Sequence, residues 1–316
     1  MSKSRTVRTA LAAALALAVL PAAAHDQPFS STVFFGDSLT DAGYFRPLLP
    51  PNVQAVTGQF TTNPGLVWSQ WLAEHYGTQA RPNGNGQTGD NHAAGGARNG
   101  VDVTGALGFT PSLATQAAGY LAANGGRADP DALYTVWGGA NDLFAVTSDP
   151  GNAQAIIGAA VGAQVGIIGG LQAAGARYVL VPNIPDLGLT PSFRAQGPAA
   201  AAQGSALATG YNQALFSTLA SNGLAVIPVD TFAFLREVAA DPAQFGITNV
   251  TGTACMPQIT AQSLTCNPTS LVSPDAPQTY LFADGVHPAS GAHVALADLA
   301  IAAIEGPRQM AVLPHS

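Results

Sequence analysis

The sequence predicts an α/β fold: a three-layer α/β/α sandwich around a flavodoxin-like parallel sheet of about five strands. Three observations predict it. Short, apolar, β-prone runs alternate with longer helix-like stretches from residue 32 onward, the pattern of βαβ units. Each apolar run ends on Gly, Pro or Asp, the residues that stop strands. The chain of 316 residues is 47% hydrophobic and only 9% charged, too apolar for a disordered segment and long enough to bury a sizeable core.

Taken in order, the first run is Thr32-Val33-Phe34-Phe35, ending at Gly36-Asp37. Leu133 to Trp137 is the second, ending at Gly138-Gly139. Tyr178 to Val181 ends at Pro182, and Ala225 to Val229 ends at Asp230. Helix-like stretches fall between and after them: Leu66 to Tyr76, Pro111 to Ala123, Ala153 to Ala174, Ala200 to Ser221 and Ser290 to Ile304. Right-handed crossovers would distribute these helices over both faces of the sheet. The stretch Gly151 to Ala176 carries no charge, but Gln154, Gln164, Gln172 and several glycines interrupt it. Its Ile157, Val161, Val165, Ile168 and Leu171 recur at helical spacing, which reads as a helix packed on a sheet rather than a membrane span. Arg81 to Gly105 and Thr248 to Pro277 read as long loops, a length usually associated with function or mobility.

The N-terminus reads as a secretory signal. Lys3, Arg5 and Arg8 form a positive region, Leu11 to Leu20 an apolar one, and Ala22-Ala23-Ala24 a small-residue cleavage site. The apolar run is shorter than the roughly 20 residues that a membrane anchor needs. Residues 1–24 are therefore expected to be a signal peptide and 25–316 a single domain, exported across the inner membrane to the periplasm, the outer-membrane surface or the medium. Without residues 1–24 the chain holds eight basic against 18 acidic residues, a formal charge of −10, and no lysine. Such a surface repels phosphate backbones and offers no basic patch to anionic lipid, so no nucleic-acid partner is expected.

Ser38 is the first residue that could carry chemistry. It follows the first strand directly, in Phe35-Gly36-Asp37-Ser38-Leu39-Thr40-Asp41, and strand carboxyl ends are where such sheets place their sites. A nucleophile and a helix N-cap are both open readings of it. Thr40 stands where a G-x-S-x-G elbow would need its last glycine, which disfavours the α/β-hydrolase arrangement. Of the six histidines, His25 and His315 lie at the ends, His75 on an amphipathic stretch and His293 within the last helix. His287 lies in the turn-rich Phe282-Ala283-Asp284-Gly285-Val286-His287-Pro288, with Asp284 three residues earlier. A carboxylate so placed can fold back onto the imidazole Nδ1–H, although Asp284 could equally begin a turn and nothing more. Gly138-Gly139-Ala140-Asn141-Asp142 and Asn91-His92-Ala93-Ala94-Gly95-Gly96-Ala97 offer a side-chain amide and unencumbered backbone N–H groups to an oxyanion. Each is also ordinary turn chemistry.

Together these pieces resemble the GDSL esterases and lipases of the SGNH hydrolase superfamily. The nucleophile block is matched by Phe35 to Leu39, the glycine block by Asn91 to Ala97, the GxND block by Gly139 to Asp142, and the DxxH block by Asp284 to His287. The resemblance covers about Ser31 to Glu305. It implies a Ser38, His287, Asp284 catalytic triad and an oxyanion hole built from the N–H groups of Ser38 and Gly96 and the Asn141 amide. Gly95 competes with Gly96 for that role, and the spacing of five residues from Asn91 favours Gly96. Thr61 to Trp68 and Val181 to Gly188 resemble, more narrowly, the passenger domains of bacterial esterase autotransporters. A chain stopping at Ser316 would then be a freely secreted relative or a passenger without its C-terminal barrel.

The expected function is hydrolysis of carboxylic esters, small-molecule or lipid, through an acyl-enzyme, with no metal, no cofactor and no obligatory protein partner. A carbohydrate O-deacetylase would use the same residues and differ only in its acyl pocket. A non-catalytic secreted binding domain is the third reading, opposed by the presence of all five catalytic-type residues. Cys255 and Cys266 are the only cysteines. In an exported chain they are expected to pair and close a loop, the alternative being two separate buried thiols.

Overall fold

The computed structural model describes residues 28–306. The expected signal segment, residues 1–24, lies outside the described residues. In chain order the elements begin with β1 (Thr32–Gly36), α1 (Trp68–His75), β2 (Val103–Gly105), β3 (Gly108–Thr110), α2 (Leu113–Ala123) and β4 (Leu133–Trp137). There follow α3 (Ala140–Ser148), α4 (Ala153–Ala173), β5 (Tyr178–Pro182), α5 (Pro191–Ala195), α6 (Pro198–Ser221), β6 (Ile227–Val229) and α7 (Thr231–Ala240). The last are β7 (Asn249–Thr253), α8 (Ala276–Thr279), β8 (Tyr280–Phe282) and α9 (Ser290–Glu305).

The central sheet has the order β1-β4-β5-β6 and is parallel throughout. β1 and β4 are buried at all five positions, which is why they read as unbroken apolar runs rather than alternating ones. Alternate side chains nonetheless divide between two cores. Val33, Phe35, Tyr134, Val136, Val179 and Val181 face Leu113 of α2, Val161, Ile168 and Leu171 of α4, and Tyr211 and Leu215 of α6. Phe34, Leu133, Trp137, Leu180 and Val229 face Trp68 and Leu72 of α1, Phe234 and Leu235 of α7, and Leu296 and Ala300 of α9. Two helical layers around one sheet follow from that period of two. Trp68, almost fully buried, sets its ring edge-on to Phe34 at 6.0 Å and to Trp137 at 5.3 Å. Truncating such a residue typically costs about 3–5 kcal/mol. The uncharged α4 is long and apolar enough to cross a membrane by length and composition alone, yet its Val161, Ile168 and Leu171 are spent on the first core.

The expected strand number needs a correction: four strands, not five, are hydrogen-bonded into this sheet. Where a fifth would lie, beyond β1, residues 90–94 run alongside it. Phe34 N donates to Asp90 O at 2.9 Å, His92 N to Phe34 O at 2.8 Å, and Ala94 N to Gly36 O at 3.2 Å, and Phe34 and Asn91 form a parallel bridge. Asn, Gly and Ala are poor strand formers, so the Asp90-Asn91-His92-Ala93-Ala94-Gly95-Gly96 sequence makes the pairing but not a regular strand. With this segment counted as second in the chain, the order is the flavodoxin-like 2-1-3-4-5. The loop Thr248 to Pro277 is also more ordered than its composition suggests. It contains β7, which pairs in parallel with β8, and a disulfide between Cys255 and Cys266 with Cα atoms 5.9 Å apart.

Candidate active site

Ser38 lies at the carboxyl end of β1 in a tight turn, with Thr40 N and Asp41 N both donating to Asp37 O. No helix follows it, so the N-cap reading of Ser38 does not hold. Gly36 makes the turn possible: a Cβ there would come within 2.8 Å of Thr40 Oγ1 and 2.9 Å of Trp137 O. Ser38 Oγ is 2.8 Å from His287 Nε2. His287 Nδ1 is in turn 2.8 Å from Asp284 Oδ2 and 2.9 Å from Oδ1. Residues separated by 249 positions are thus joined in one hydrogen-bonded chain.

Asp284 begins a turn as well. Its Oδ1 accepts from Val286 N and His287 N at 2.9 Å, and its Oδ2 accepts from Ser263 N at 2.7 Å. Burial opposes its charge, but the His287 imidazole and the Val286 and His287 N–H groups hold the carboxyl well below the usual carboxylate range. Burial likewise disfavours the charged form of His287, yet the Asp284 carboxylate, and behind it Asp37, outweigh this and raise the imidazole above its ordinary value of 6.5. The Phe60 ring lies 5.1 Å from the imidazole, centroid to centroid.

The glycine loop and the first turn of α3 converge on Ser38. Residues 90–94 carry Gly95 and Gly96 along the edge of β1 to this point. Gly95 N donates to Asp41 Oδ2 at 2.9 Å, whereas Ser38 N and Gly96 N form no hydrogen bond among the described residues. Gly96 adopts φ +84°, a conformation that favours glycine even though a Cβ would meet nothing within 4 Å. Gly95 needs glycine for a different reason: a Cβ would meet the Phe60 ring at 2.0 Å. Asn141 stands in the first turn of α3, which left-handed Gly139 starts directly off β4. Its amide donates to Ala97 O at 3.0 Å and, less closely, to Asp37 Oδ2 at 3.3 Å. Next to it, buried Asp142 accepts from Arg98 Nε and Asn99 N, both at 2.9 Å, and so ties α3 to the glycine loop.

Among the described residues, the other three histidines lie apart from this chain. His75 is exposed and pairs with Glu305 at 2.9 Å. His293 is fully buried and accepts from Trp68 N. His92 stacks on Phe35, and burial lowers it to about 4. The sequence reading did not find Asp37, Asp41, Phe60 or Ser263. Two acids flanking Ser38, in a chain so poor in charge, were the available signal for the first two. Burial pushes both up to about 6. Among the described residues no cluster of three or more His, Cys, Asp or Glu side chains is placed to hold a metal ion.

A cavity of about 810 Å³ opens over Ser38 and His287, lined by Phe45, Phe60, Leu107, Phe144, Leu187 and Phe193 among others. On its other side it reaches Trp137, Phe234, Leu235 and Leu296 between α7 and α9. The β2–β3 hairpin contributes Val103 to Gly108 to its wall.

A serine, an imidazole and a carboxylate in series, at the carboxyl edge of a doubly wound sheet, have the geometry of the serine hydrolases. The chain belongs to the GDSL-like lipase/acylhydrolase family, whose model matches residues 32–300. It is 33% identical to esterase EstA of Pseudomonas aeruginosa over 96% of this chain and 52% of that protein. It is 26% identical to lipase 1 of Photorhabdus luminescens over 91% and 52%. An uncharacterized protein of the trpE-trpG intergenic region of Pseudomonas putida is 32% identical over 100% of this chain and 55% of its own length. The chain spans about half the length of these curated relatives.

Proposed function

We propose that residues 25–316 form one exported domain that hydrolyses carboxylic esters through an acyl-enzyme on Ser38. The observation that carries this reading is the run of contacts Ser38–His287–Asp284, each at 2.8 Å, beside the unengaged N–H groups of Ser38 and Gly96. His287 Nε2 takes the Ser38 proton as Oγ attacks the ester carbonyl, and Asp284 holds the imidazole in the required tautomer and stabilises the imidazolium. Ser38 N, Gly96 N and the Asn141 amide receive the developing oxyanion, the longer contact of Asn141 to Asp37 being the one it displaces. His287 then protonates the departing alcohol. Water, activated by the same imidazole, releases the acid and restores Ser38.

Two relatives, one named an esterase and the other a lipase, support the same reaction class. A cavity of about 810 Å³ with phenylalanine and leucine side chains in its lining has room for acyl chains of several carbons. Export, and a passenger-type origin, belong to the same proposal and rest on residues 1–24 and on the Thr61 to Trp68 and Val181 to Gly188 stretches. The test is reaction with a serine-reactive phosphonate, followed by assay of acyl esters from about two to sixteen carbons beside acetylated glycans. Labelling at Ser38 with preference for longer acyl chains supports the proposal. Absence of labelling revives the non-catalytic reading, and activity confined to acetyl groups favours the deacetylase.

A further inference from the structure

We infer that Asp41 is a positioning residue for the oxyanion site: its carboxylate ties the turn carrying Ser38 to the loop carrying Gly96 and thereby sets where the two backbone donors point. The inference rests on the ester-hydrolase reading and adds a residue outside the Ser38–His287–Asp284 chain.

Asp41 has no solvent exposure. Its Oδ1 accepts from Gly43 N at 2.7 Å and Tyr44 N at 2.6 Å. By themselves these bonds would be a local turn of the kind Asp makes in many loops. The second oxygen does something else: Oδ2 accepts from Gly95 N, 54 positions along the chain, at 2.9 Å. Meanwhile Asp41 N donates to Asp37 O, which closes the turn around Ser38. One residue therefore engages both segments proposed to supply oxyanion donors, through its backbone N–H in the Ser38 turn and through its carboxylate at Gly95. All three partners of the carboxylate are N–H groups, so both oxygens serve as acceptors. A buried carboxylate is costly unless it is bonded in this way.

The bond to Gly95 matters because Gly95 and Gly96 are consecutive. Asp41 holds the N–H of Gly95, the Phe60 ring closes off the side where its Cβ would stand, and Gly96 then turns at φ +84°. With the preceding residue held on two sides, the Gly96 N–H has one direction open to it. Phe60 also lies against His287, so the same ring meets both the base and the glycine loop. Catalytic groups displaced by about 1 Å lose on the order of 10² in rate, so a side chain that touches no substrate can still act on kcat.

Asp41→Asn tests this. An amide of the same shape can accept on only one side; its NH₂ must oppose either the Gly43 and Tyr44 N–H groups or the Gly95 N–H. With a p-nitrophenyl acyl ester, kcat should fall about 10- to 100-fold while KM stays within about threefold. The acid limb of the pH profile, set by His287, should keep its midpoint. Asp41→Glu should not rescue, because the longer side chain cannot place its oxygens identically against the same three N–H groups. A kcat within about twofold of wild type, or a rise in KM alone, overturns the inference. Should both variants fail to fold in a thermal melt, wild-type amide NMR decides it. On phosphonylation of Ser38, the Ser38 and Gly96 amide protons should move downfield while the Gly95 proton stays. Movement of Gly95 instead of Gly96 overturns the inference. Wild-type protein that neither cleaves esters nor reacts with the phosphonate overturns the hydrolase reading instead, before any variant is made.

Discussion

Ser263 donates its backbone N–H to Asp284 Oδ2 at 2.7 Å, the same carboxylate oxygen that lies 2.8 Å from His287 Nδ1. Ser263 belongs to the loop closed by Cys255 and Cys266. The disulfide-bonded segment thus reaches the residue that orients the proposed base.

Reduction of that disulfide should lower both stability and activity. Closing a loop of this length is worth about 3 kcal/mol by chain entropy, or roughly 5–10 °C in Tm for a domain of this size. Melting curves and ester assays with and without reductant measure the two effects. Thiol titration of the unfolded, unreduced protein should find no free thiol, and two would rule the bridge out.

Ser38→Ala should remove ester hydrolysis and leave the fold intact. The hydroxyl bonds to His287 and contributes little packing, while loss of a triad nucleophile costs on the order of 10⁶ in kcat. Steady-state kinetics with a matched melt check it; near-normal turnover would eliminate the proposed nucleophile.

Asn141→Ala should lower kcat about 10²- to 10³-fold with little change in KM, because the amide meets the oxyanion mainly in the transition state. A rise in KM alone would reassign Asn141 to ground-state binding.

The pH dependence follows from His287, which acts as base only when neutral. Its titration is raised above 6.5: burial disfavours the imidazolium, but Asp284 and, behind it, Asp37 together outweigh burial. Activity should therefore fall as pH drops through a midpoint above 6.5. In Asp284→Asn the opposing carboxylate is gone, burial prevails, and the residual activity should show its acid limb at lower pH. Profiles of kcat/KM for both proteins test the sign; a limb that stays in place would show that Asp284 does not set the titration of the base.

The strand and helix segments and the four motif blocks were legible in the sequence because each is a local signal: a buried parallel strand must be apolar, and its end must turn. Ser38, Gly96, Asn141, Asp284 and His287 were each visible in this way. Only the spacing from Asn91 separated Gly96 from Gly95; the physical difference between them, Asp41 and Phe60 as partners of the first and a positive φ for the second, was not legible. The weak pairing of residues 90–94 could not be read either: Asn and Gly signal a loop, and only the neighbouring β1 backbone makes the segment an edge.

By itself the sequence determined a layered α/β chain with a nucleophile-type serine at one end and an Asp–His pair at the other. Tertiary structure alone decided that these meet, that Asp41 accepts from Gly95 N and Asp142 from Asn99 N, and that Ser263 N donates to Asp284. The physical reason is range. Strand and turn preferences act over a few residues, whereas these contacts join positions 21 to 249 apart and exist only once the sheet and its two helical layers have closed.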